Sequence, residues 1–270
     1  GLEALLFILT VLVVVSPSRR SRTRSPPVTK ASCSRSPTNG ALEVSVEANQ
    51  PNDKNAALDR LKHRPSADET DAGLVGRPTP AFVGEAKAFS MPPPPTNSSK
   101  TTIEEMGKIR RMLKDLSDNQ IFRIRHEDRP DVDALFVEVL EQHGFVVTKK
   151  LRKEMDELSK QLATIGWHYK LRFKRMRPQE WLRVKKFKTI LPTAKTANSP
   201  SYPSNHALIG AFLAKYLGEK FPRAKPTLDE FGRQVGWNRV RAGWHWPSDY
   251  SMARQLAEHL WKHFDEKGIK

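Results

Sequence analysis

Large aromatic side chains and prolines are distributed unevenly along this chain of 270 residues. All 6 Trp and all 4 Tyr lie at or beyond Trp167, whereas most of the 20 prolines lie before residue 100. A segment that is poor in large aromatic groups and rich in proline buries little apolar surface and interrupts helices and strands. The pattern therefore predicts one folded domain in the C-terminal part of the chain, preceded by a segment without a core of its own.

Residues 16–98 are predicted to form a disordered linker. Ser-Pro pairs recur in this segment, and four consecutive prolines follow Met91. Proline fixes its own φ and removes a backbone donor, so these residues favour a stiff polyproline spacer over a helix or a strand. The rest of the chain is divided into an apolar segment at residues 1–15 and a folded domain at residues 99–270.

Apolar residues recur at helical spacing through the folded domain, which is therefore predicted to be all-α. Thr102 and Glu105 are interpreted as a capping box at the start of its first helix. The longest predicted helix ends before Pro178, because proline disfavours a helical backbone in the residue before it. The predicted helices after the first span residues 131–143, 149–176, 207–216, 228–240 and 247–264.

The chain opens on an apolar run from Leu2 to Val15 that only Glu3 and Thr10 interrupt. As a helix the run would reach about 20 Å, less than the roughly 30 Å of a bilayer's hydrocarbon core. Its length favours the core of a secretory signal, the arginines after it favour a signal anchor, and the Ser- and Arg-rich residues 16–42 are typical of an organellar transit segment. An extracytoplasmic location (periplasmic or secreted), or membrane association through the N-terminus, is expected ahead of a cytosolic one.

The formal net charge of +16 at pH 7 suits nucleic acid, an anionic membrane surface or anionic substrates. The sequence contains no basic motif interleaved with aromatic residues, so nucleic acid is not the expected partner. Cys33 is the only cysteine, which excludes an internal disulfide.

Three short clusters in the C-terminal part combine cations, a hydroxyl, imidazoles and a carboxylate. Guanidinium and ammonium groups donate charge-assisted hydrogen bonds to an oxyanion, and an imidazole can attack its centre or protonate a leaving group. The same cations would repel a metal ion, so no metal site is predicted. The clusters are Lys170 with Arg177-Pro178, Pro203-Ser204-Asn205-His206, and Arg239 with His245 and Asp249.

Each cluster also has an ordinary structural explanation. Lys170 and Arg177 are seven residues apart and would project from nearly the same face of one helix, as a solvated surface pair also would. Ser204 suits a helix N-cap, and Asp249 suits the first turn of a helix. Three nearby basic residues are interpreted as solvent-exposed or rim charges: Arg172, Lys174 and Arg175.

The order and spacing of the clusters resemble the signature of the type 2 phosphatidic acid phosphatase and vanadium haloperoxidase superfamily. In that family a Lys and an Arg-Pro that are separated by six residues, a Pro-Ser-Gly-His, and a Ser-Arg followed by His and Asp build one pocket. The stretches SYPSNHA and GWNRVRAGWHWPSDYSMAR look most like the bacterial class A non-specific acid phosphatases. The resemblance covers about residues 165–265 and implies a helical bundle of the acid phosphatase/vanadium haloperoxidase type.

The resemblance further implies a metal-independent phosphatase that hydrolyses phosphate monoesters through a phosphohistidine intermediate. His245 would attack phosphorus, Asp249 would orient it, and His206 would protonate the leaving oxygen. The implied partner is a phosphorylated small molecule, and no cofactor is implied. The residues implied to bind the phosphate are Lys170, Arg177, Ser204, Asn205 and Arg239.

Other functions stay open beside this one. A vanadate-dependent haloperoxidase would hold vanadate as a cofactor with the same residues, although such chains are usually much longer. A lipid phosphate phosphatase is a second alternative, but its integral members carry several transmembrane helices, and the sequence shows none after residue 15. The third alternative is a basic binding module whose site has decayed.

Two positions depart from the family pattern. Asn205 stands where the family has glycine, and Asn238 stands where it has serine before Arg239. Asparagine tolerates a left-handed backbone better than other non-glycine residues, so the loop is expected to keep its shape with reduced access to phosphate. The Asn238 amide can still bond a neighbouring group. Neither change removes a charged or nucleophilic group, so activity is expected to remain.

Overall fold

The computed structural model describes residues 52–63, 83–187, 192 and 194–266. Within these ranges the regular structure consists of α-helices and one 3₁₀ turn, without strands, so the all-α prediction is confirmed. The apolar segment 1–15 lies outside the described residues. None of the helices in the described ranges combines the length and the apolar character that crossing a bilayer requires.

The helices in the described ranges are α1 (Asn52–Arg60), α2 (Val83–Ala88), α3 (Lys100–Lys114), α4 (Asp118–His126), α5 (Val132–Gln142), α6 (Lys149–Phe173), α7 (Pro178–Val184), α8 (Asn205–Lys220), a 3₁₀ turn (Pro222–Ala224), α9 (Lys225–Arg241) and α10 (Pro247–Glu266). The domain is built around the buried central helix α8. Helix α8 packs on α6, α9 and α10, and these helices share the main apolar core with α5. Helices α8 and α9 approach closely, because a Cβ on Gly232 would lie 2.5 Å from the carbonyl oxygen of Gly210.

A smaller core joins α3, α7 and α9 around Trp246, which is fully buried. The Nε1 of Trp246 donates to the carbonyl of Met176 at 2.8 Å, and the Nε1 of Trp244 donates to the carbonyl of Pro192 at 2.9 Å. These bonds satisfy the indole donors that burial would otherwise leave unpaired. They also fix the turn before α10, on which part of the candidate site lies.

Several predicted helix ends differ from the structure, and two of them change the interpretation of the sequence. Helix α3 begins at Lys100 with Ser99 as its N-cap, whose Oγ accepts from the Thr102 amide at 3.2 Å, so Thr102 and Glu105 form no capping box. Helix α6 ends at Phe173, because Lys174 adopts a left-handed backbone with φ 48°. Arg177 therefore does not share a helix with Lys170, and it instead precedes α7 as the residue at its N-cap position.

Parts of the segment predicted to be linker pack on the domain. His63, which follows α1, bonds through Nδ1 to the Glu180 carboxylate at 2.9 Å and through Nε2 to the carbonyl of Asn198 at 3.0 Å. Met91 is buried in the main core, and the hydroxyl of Tyr202 donates to the carbonyl of Pro92 at 2.9 Å. The structure thus differs from the predicted linker at these residues, because their backbone and side-chain groups contact the folded domain.

Candidate active site

The three sequence clusters meet at one cavity of about 870 Å³. Lys170, Arg177, Asn205, His206 and His245 line it. The other predicted site residues are buried beside these: Ser204, Arg239 and Asp249. The structure therefore brings together residues that are spread over positions 170–249 of the sequence.

His245 lies in the turn before α10, between a carboxylate and a guanidinium. Its Nδ1 is 3.2 Å from Oδ2 of Asp249, and its Nε2 is 3.2 Å from Nη1 of Arg177. A guanidinium can only donate, so Nε2 of His245 accepts this hydrogen bond. The proton of the neutral ring is therefore on Nδ1, which donates a hydrogen bond to Asp249. In this tautomer Nε2 carries the lone pair that nucleophilic attack requires.

Burial decides the charge state of His245, whereas neighbouring groups decide that of Asp249. Burial, and after it the charge of Arg177, lowers the pKa of His245 well below its usual value. Burial raises the pKa of Asp249, but Arg175 and the hydrogen bond from His245 outweigh it and lower that pKa to about 2. A neutral imidazole therefore lies beside an ionised carboxylate at neutral pH.

Lys170 and Arg177 are buried cations, with 2% and 1% of their surface exposed. The Nζ of Lys170 donates to the carbonyl of Pro200, and Arg177 donates to the carbonyls of Ser199 and Trp244. Burial lowers the pKa of Lys170 well below its usual value and that of Arg177 to about 10, and the charge of a neighbouring arginine adds to the effect in each case. Within the described ranges neither cation forms an ion pair with a carboxylate, so the pair attracts an anion.

Arg239, the third predicted cation, already has a counterion. Its Nη1 is 2.9 Å from Oδ1 of Asp128, its Nη2 donates to Oγ1 of Thr196 at 2.7 Å, and its guanidinium lies 4.2 Å from the centre of the Trp244 ring. Burial raises the pKa of Asp128, but the bonds from Thr196, from the Lys195 amide and from Arg239 lower it overall. Asp128 therefore stays ionised and fixes Arg239 at the site.

Ser204 is the N-cap of α8, with Oγ 3.4 Å from the amide of Ala207. Asn205 is the first helical residue, and it has no positive φ, so the left-handed backbone expected there is wrong. Its side chain lies instead against α6, where a Cβ on Gly166 would come within 1.9 Å of Oδ1 of Asn205. The side chain of Asn205 fits here because residue 166 on α6 is a glycine and has no Cβ.

His206 lines the cavity on the side of the residues between α4 and α5. Its Nε2 donates to the carbonyl of Glu127 at 3.2 Å. Burial, and after it the charge of Arg239, lowers the pKa of His206 well below its usual value, while Asp128 opposes this. His206 is therefore neutral as long as no further anion lies beside it.

Sequence reasoning missed the groups that bind the site residues and their neighbours from other parts of the structure. Arg175 was predicted to be a rim charge, but it is 3% exposed and its Nη1 is 2.6 Å from Oδ1 of Asp249, because α6 ends before it and turns the chain inward. Glu127 accepts from Nδ2 of Asn238 at 2.8 Å, which gives the departure at Asn238 a partner. Arg172 and Lys174 are exposed, as predicted. The sequence carries no spacing signal for Arg175, Glu127 or Asp128.

Comparisons with known proteins support the family resemblance. Residues 159–262 match the family model described as the PAP2 superfamily, which confirms the family resemblance over this segment. A non-specific acid phosphatase of Providencia stuartii is 26% identical over 136 residues, covering 50% of this chain and 47% of the relative. A non-specific acid phosphatase of Salmonella typhimurium strain LT2 is 30% identical over 120 residues, covering 42% and 47%. The chain spans about half the length of the curated relatives it matches.

The fold is similar to that of a bacterial vanadium-dependent iodoperoxidase, whose crystal structure aligns with a TM-score of 0.55. The identity is 16%, and the alignment covers 77% of this chain and 62% of the other. At this identity the likeness concerns the fold alone, and it confirms the predicted type of helical bundle.

Proposed function

We propose that this chain, whose residues 159–262 belong to the PAP2 superfamily, hydrolyses phosphate monoesters through a phosphohistidine at His245. The observation that carries the proposal is the pair of buried cations, Lys170 and Arg177, that lines the same cavity as His245 and has no carboxylate partner within the described ranges. Buried charge is costly unless it is paired. A phosphate dianion supplies the missing charge next to a neutral imidazole.

In the proposed first step Nε2 of His245 attacks phosphorus, and the bond from phosphorus to the ester oxygen breaks. The ring becomes positive, and Asp249, already bonded to Nδ1, stabilises that charge. Lys170, Arg177 and Arg239 hold the phosphoryl oxygens as negative charge spreads over them. The first amides of α8, beside Asn205, add donors at the positive end of the helix dipole.

His206 is the proposed general acid and base. In the free site its pKa is low, but a bound phosphate dianion beside it opposes the charge of Arg239 and raises that pKa. The imidazolium then gives its proton to the leaving oxygen. In the second step the neutral ring takes a proton from water, whose oxygen bonds to phosphorus while the bond to His245 breaks.

The proposal includes no metal and no cofactor. Lys170, Arg177 and Arg239 would repel a divalent cation placed among them. Vanadate fits the same groups as phosphate, because both are tetrahedral oxyanions. Bromide oxidation by added hydrogen peroxide in the presence of vanadate-loaded protein, without ester hydrolysis, would identify the haloperoxidase alternative instead.

The proposed partner is a phosphorylated small molecule. The apolar run at residues 2–15 supports a location outside the cytoplasm or at a membrane, and this stays a proposal because the run lies outside the described residues.

The test uses the full chain with p-nitrophenyl phosphate in the presence and absence of EDTA, followed by rapid-quench labelling with radioactive phosphate ester. We expect hydrolysis that EDTA leaves unchanged and that vanadate inhibits competitively, together with an acid-labile label on the protein. Loss of activity in EDTA with recovery on adding Zn²⁺ or Mg²⁺ would contradict the proposed chemistry. Absence of any hydrolysis would support the decayed-site alternative.

A further inference from the structure

Arg175 is a buried cation that the proposed reaction has not used. It lies between α6 and α7, two residues before Arg177, and 3% of its surface is exposed. Lys170 and Arg177 line the cavity, whereas Arg175 is not among the lining residues. Its guanidinium instead contacts Asp249, Ser248 and Glu105.

The guanidinium of Arg175 is held on several sides. Nη1 donates to Oδ1 of Asp249 at 2.6 Å and to Oγ of Ser248 at 2.7 Å, and Nη2 lies 3.4 Å from Oε2 of Glu105. The guanidinium also lies 5.0 Å from the centre of the Trp246 ring. These contacts hold the planar guanidinium in one orientation, with its N–H donors in fixed directions. A lysine ammonium would not reproduce this arrangement.

The two oxygens of Asp249 have different partners. Oδ1 is the oxygen bound by Arg175. Oδ2 faces Nδ1 of His245 at 3.2 Å and also accepts from the Trp246 amide at 2.9 Å and from the hydroxyl of Ser201. With Oδ1 fixed, the carboxylate cannot rotate away from the imidazole.

We propose that Arg175 is a positioning residue that acts through Asp249: it keeps the carboxylate ionised and turned so that Oδ2 holds the proton of His245 on Nδ1. The inference rests on the proposed role of His245 as nucleophile. Arg175 touches no reacting atom, and its effect reaches the cavity only through the tautomer and charge of the His245 ring.

Glu105 shares the guanidinium and ties α3 to this pair. Its Oε1 accepts from the Ser248 amide at 2.7 Å, and its Oε2 accepts from the Ser248 hydroxyl at 2.9 Å. Glu105 lies outside residues 159–262, so the first turn of α10 is held from a part of the chain that the family model does not match. If Arg175 merely braced α3 against α10, loss of either charge would have the same consequence.

The experiment compares Arg175→Gln, Arg175→Lys and Glu105→Gln in the full chain, with Arg172→Gln as the matched control. Arg172 is exposed near the same end of α6, so its loss removes an equal charge without touching Asp249. The values of kcat and KM for p-nitrophenyl phosphate are measured across pH. The titratable groups near Asp249, which could influence this pH dependence, are Arg175, Glu105, His245, Lys170, Arg177 and Tyr202.

We expect Arg175→Gln to lower kcat about tenfold to a hundredfold with little change in KM. The carboxylate of Asp249, no longer shared with a cation, should attract the proton of His245 more strongly, so the acid limb of kcat/KM shifts to higher pH. Arg175→Lys should restore the position of this limb in part. Glu105→Gln and Arg172→Gln should keep kcat within a few-fold of the unaltered chain. Equal losses in Arg175→Gln and Glu105→Gln, or an acid limb that does not move, would overturn the proposal.

A second measurement reports on the imidazole of His245 and does not depend on turnover. Nitrogen chemical shifts of the His245 imidazole, identified through their absence in His245→Asn, report its tautomer and its pKa. We expect the Nδ1–H form in the unaltered chain and a mixture of tautomers with a higher pKa in Arg175→Gln, and identical signals in both proteins would contradict the inference. If the unaltered chain shows this ring behaviour but no hydrolysis, only the proposed function fails. Should Arg175→Gln not fold, the double variant Arg175→Gln/Glu105→Gln, which removes both facing charges, takes its place in both measurements.

Discussion

The segment that matches the PAP2 superfamily and the described residues before it contribute differently to the site. Residues 159–262 supply every group proposed to touch phosphate. The preceding residues supply an imidazole and carboxylates that bind Arg239 or residues close to the site. The contacts that join the two parts include His63 with Glu180, Glu105 with Arg175, Glu127 with Asn238 and Asp128 with Arg239.

The difference follows from what each set of groups must reach. Nucleophile and cations must surround a phosphate of fixed size, so their order and spacing are constrained and can be recognised in a sequence. A supporting carboxylate needs only to reach a guanidinium or an amide, and any neighbouring element can provide it. The predictions that follow test whether the two parts differ in function as they do in contacts.

The largest effect is expected at the nucleophile. Replacing His245 with alanine should lower turnover on the order of 10⁴-fold or more, because no other group would form the bond to phosphorus. The acid-labile phosphoryl label should disappear with it. His143→Ala is the control, because His143 is exposed and bonds only within its own helix in the described structure. A phosphoryl label that persists in His245→Ala would show that another residue is the nucleophile.

The second effect depends on the leaving group. His206→Ala should slow esters with poor leaving groups by roughly 10²-fold to 10⁴-fold, because an alkoxide must be protonated as it departs. Hydrolysis of p-nitrophenyl phosphate should fall much less, since its leaving oxygen needs little protonation. Rates for a series of esters with graded leaving groups measure the contrast. An equal fall in the hydrolysis rate of every ester in the series would show that His206 is not the general acid.

The third prediction concerns a support from the preceding part of the chain. Asp128→Asn leaves Arg239 buried without its counterion and should lower the free energy of unfolding by roughly 3 kcal/mol. Added inorganic phosphate should recover part of this loss, because it offers the same guanidinium another anion. Urea unfolding with and without phosphate measures both effects.

The control for this variant is Asp131→Asn. Asp131 pairs with Arg129 at the surface with 47% of its side chain exposed, so its loss should cost less than about 1 kcal/mol. If added phosphate does not recover any of the unfolding free energy that Asp128→Asn loses, Arg239 does not take part in phosphate binding.

These supports mark the limit of what the sequence could predict. Lys170 and Arg177 were recognised by spacing, although the reason given, a common helix face, is wrong because Lys174 ends α6. The same error assigned Arg175 to the rim, since a continuous helix would have turned it outward. Asp128 precedes the predicted second helix and has no periodic partner, so only the tertiary structure shows that it reaches Arg239.

A smaller effect is expected at His63. His63→Ala removes the bonds to Glu180 and Asn198, which brace the start of α7 and the loop that carries Ser199. We expect a loss of about 1 to 3 kcal/mol in unfolding free energy and a fall of a few-fold in turnover. The comparison is His126→Ala, whose partner Glu138 lies at the surface and whose loss should cost less than about 1 kcal/mol. Equal stability of the two variants would argue that the residues after α1 do not support the site.

The smallest effect is expected at Gly166, which faces Asn205, one of the two positions that depart from the family pattern. Gly166→Ala should destabilise the protein by about 1 to 3 kcal/mol, because the new Cβ would collide with Oδ1 of Asn205 at 1.9 Å. In an Asn205→Gly background the same change should be neutral or stabilise by up to about 1 kcal/mol, since alanine is the better helix former and the collision is gone. Urea unfolding of the two single variants and the double variant gives the coupling energy between the two positions. A coupling near zero would mean that Asn205 has other room, and that Gly166 is not the reason why α8 can begin with asparagine.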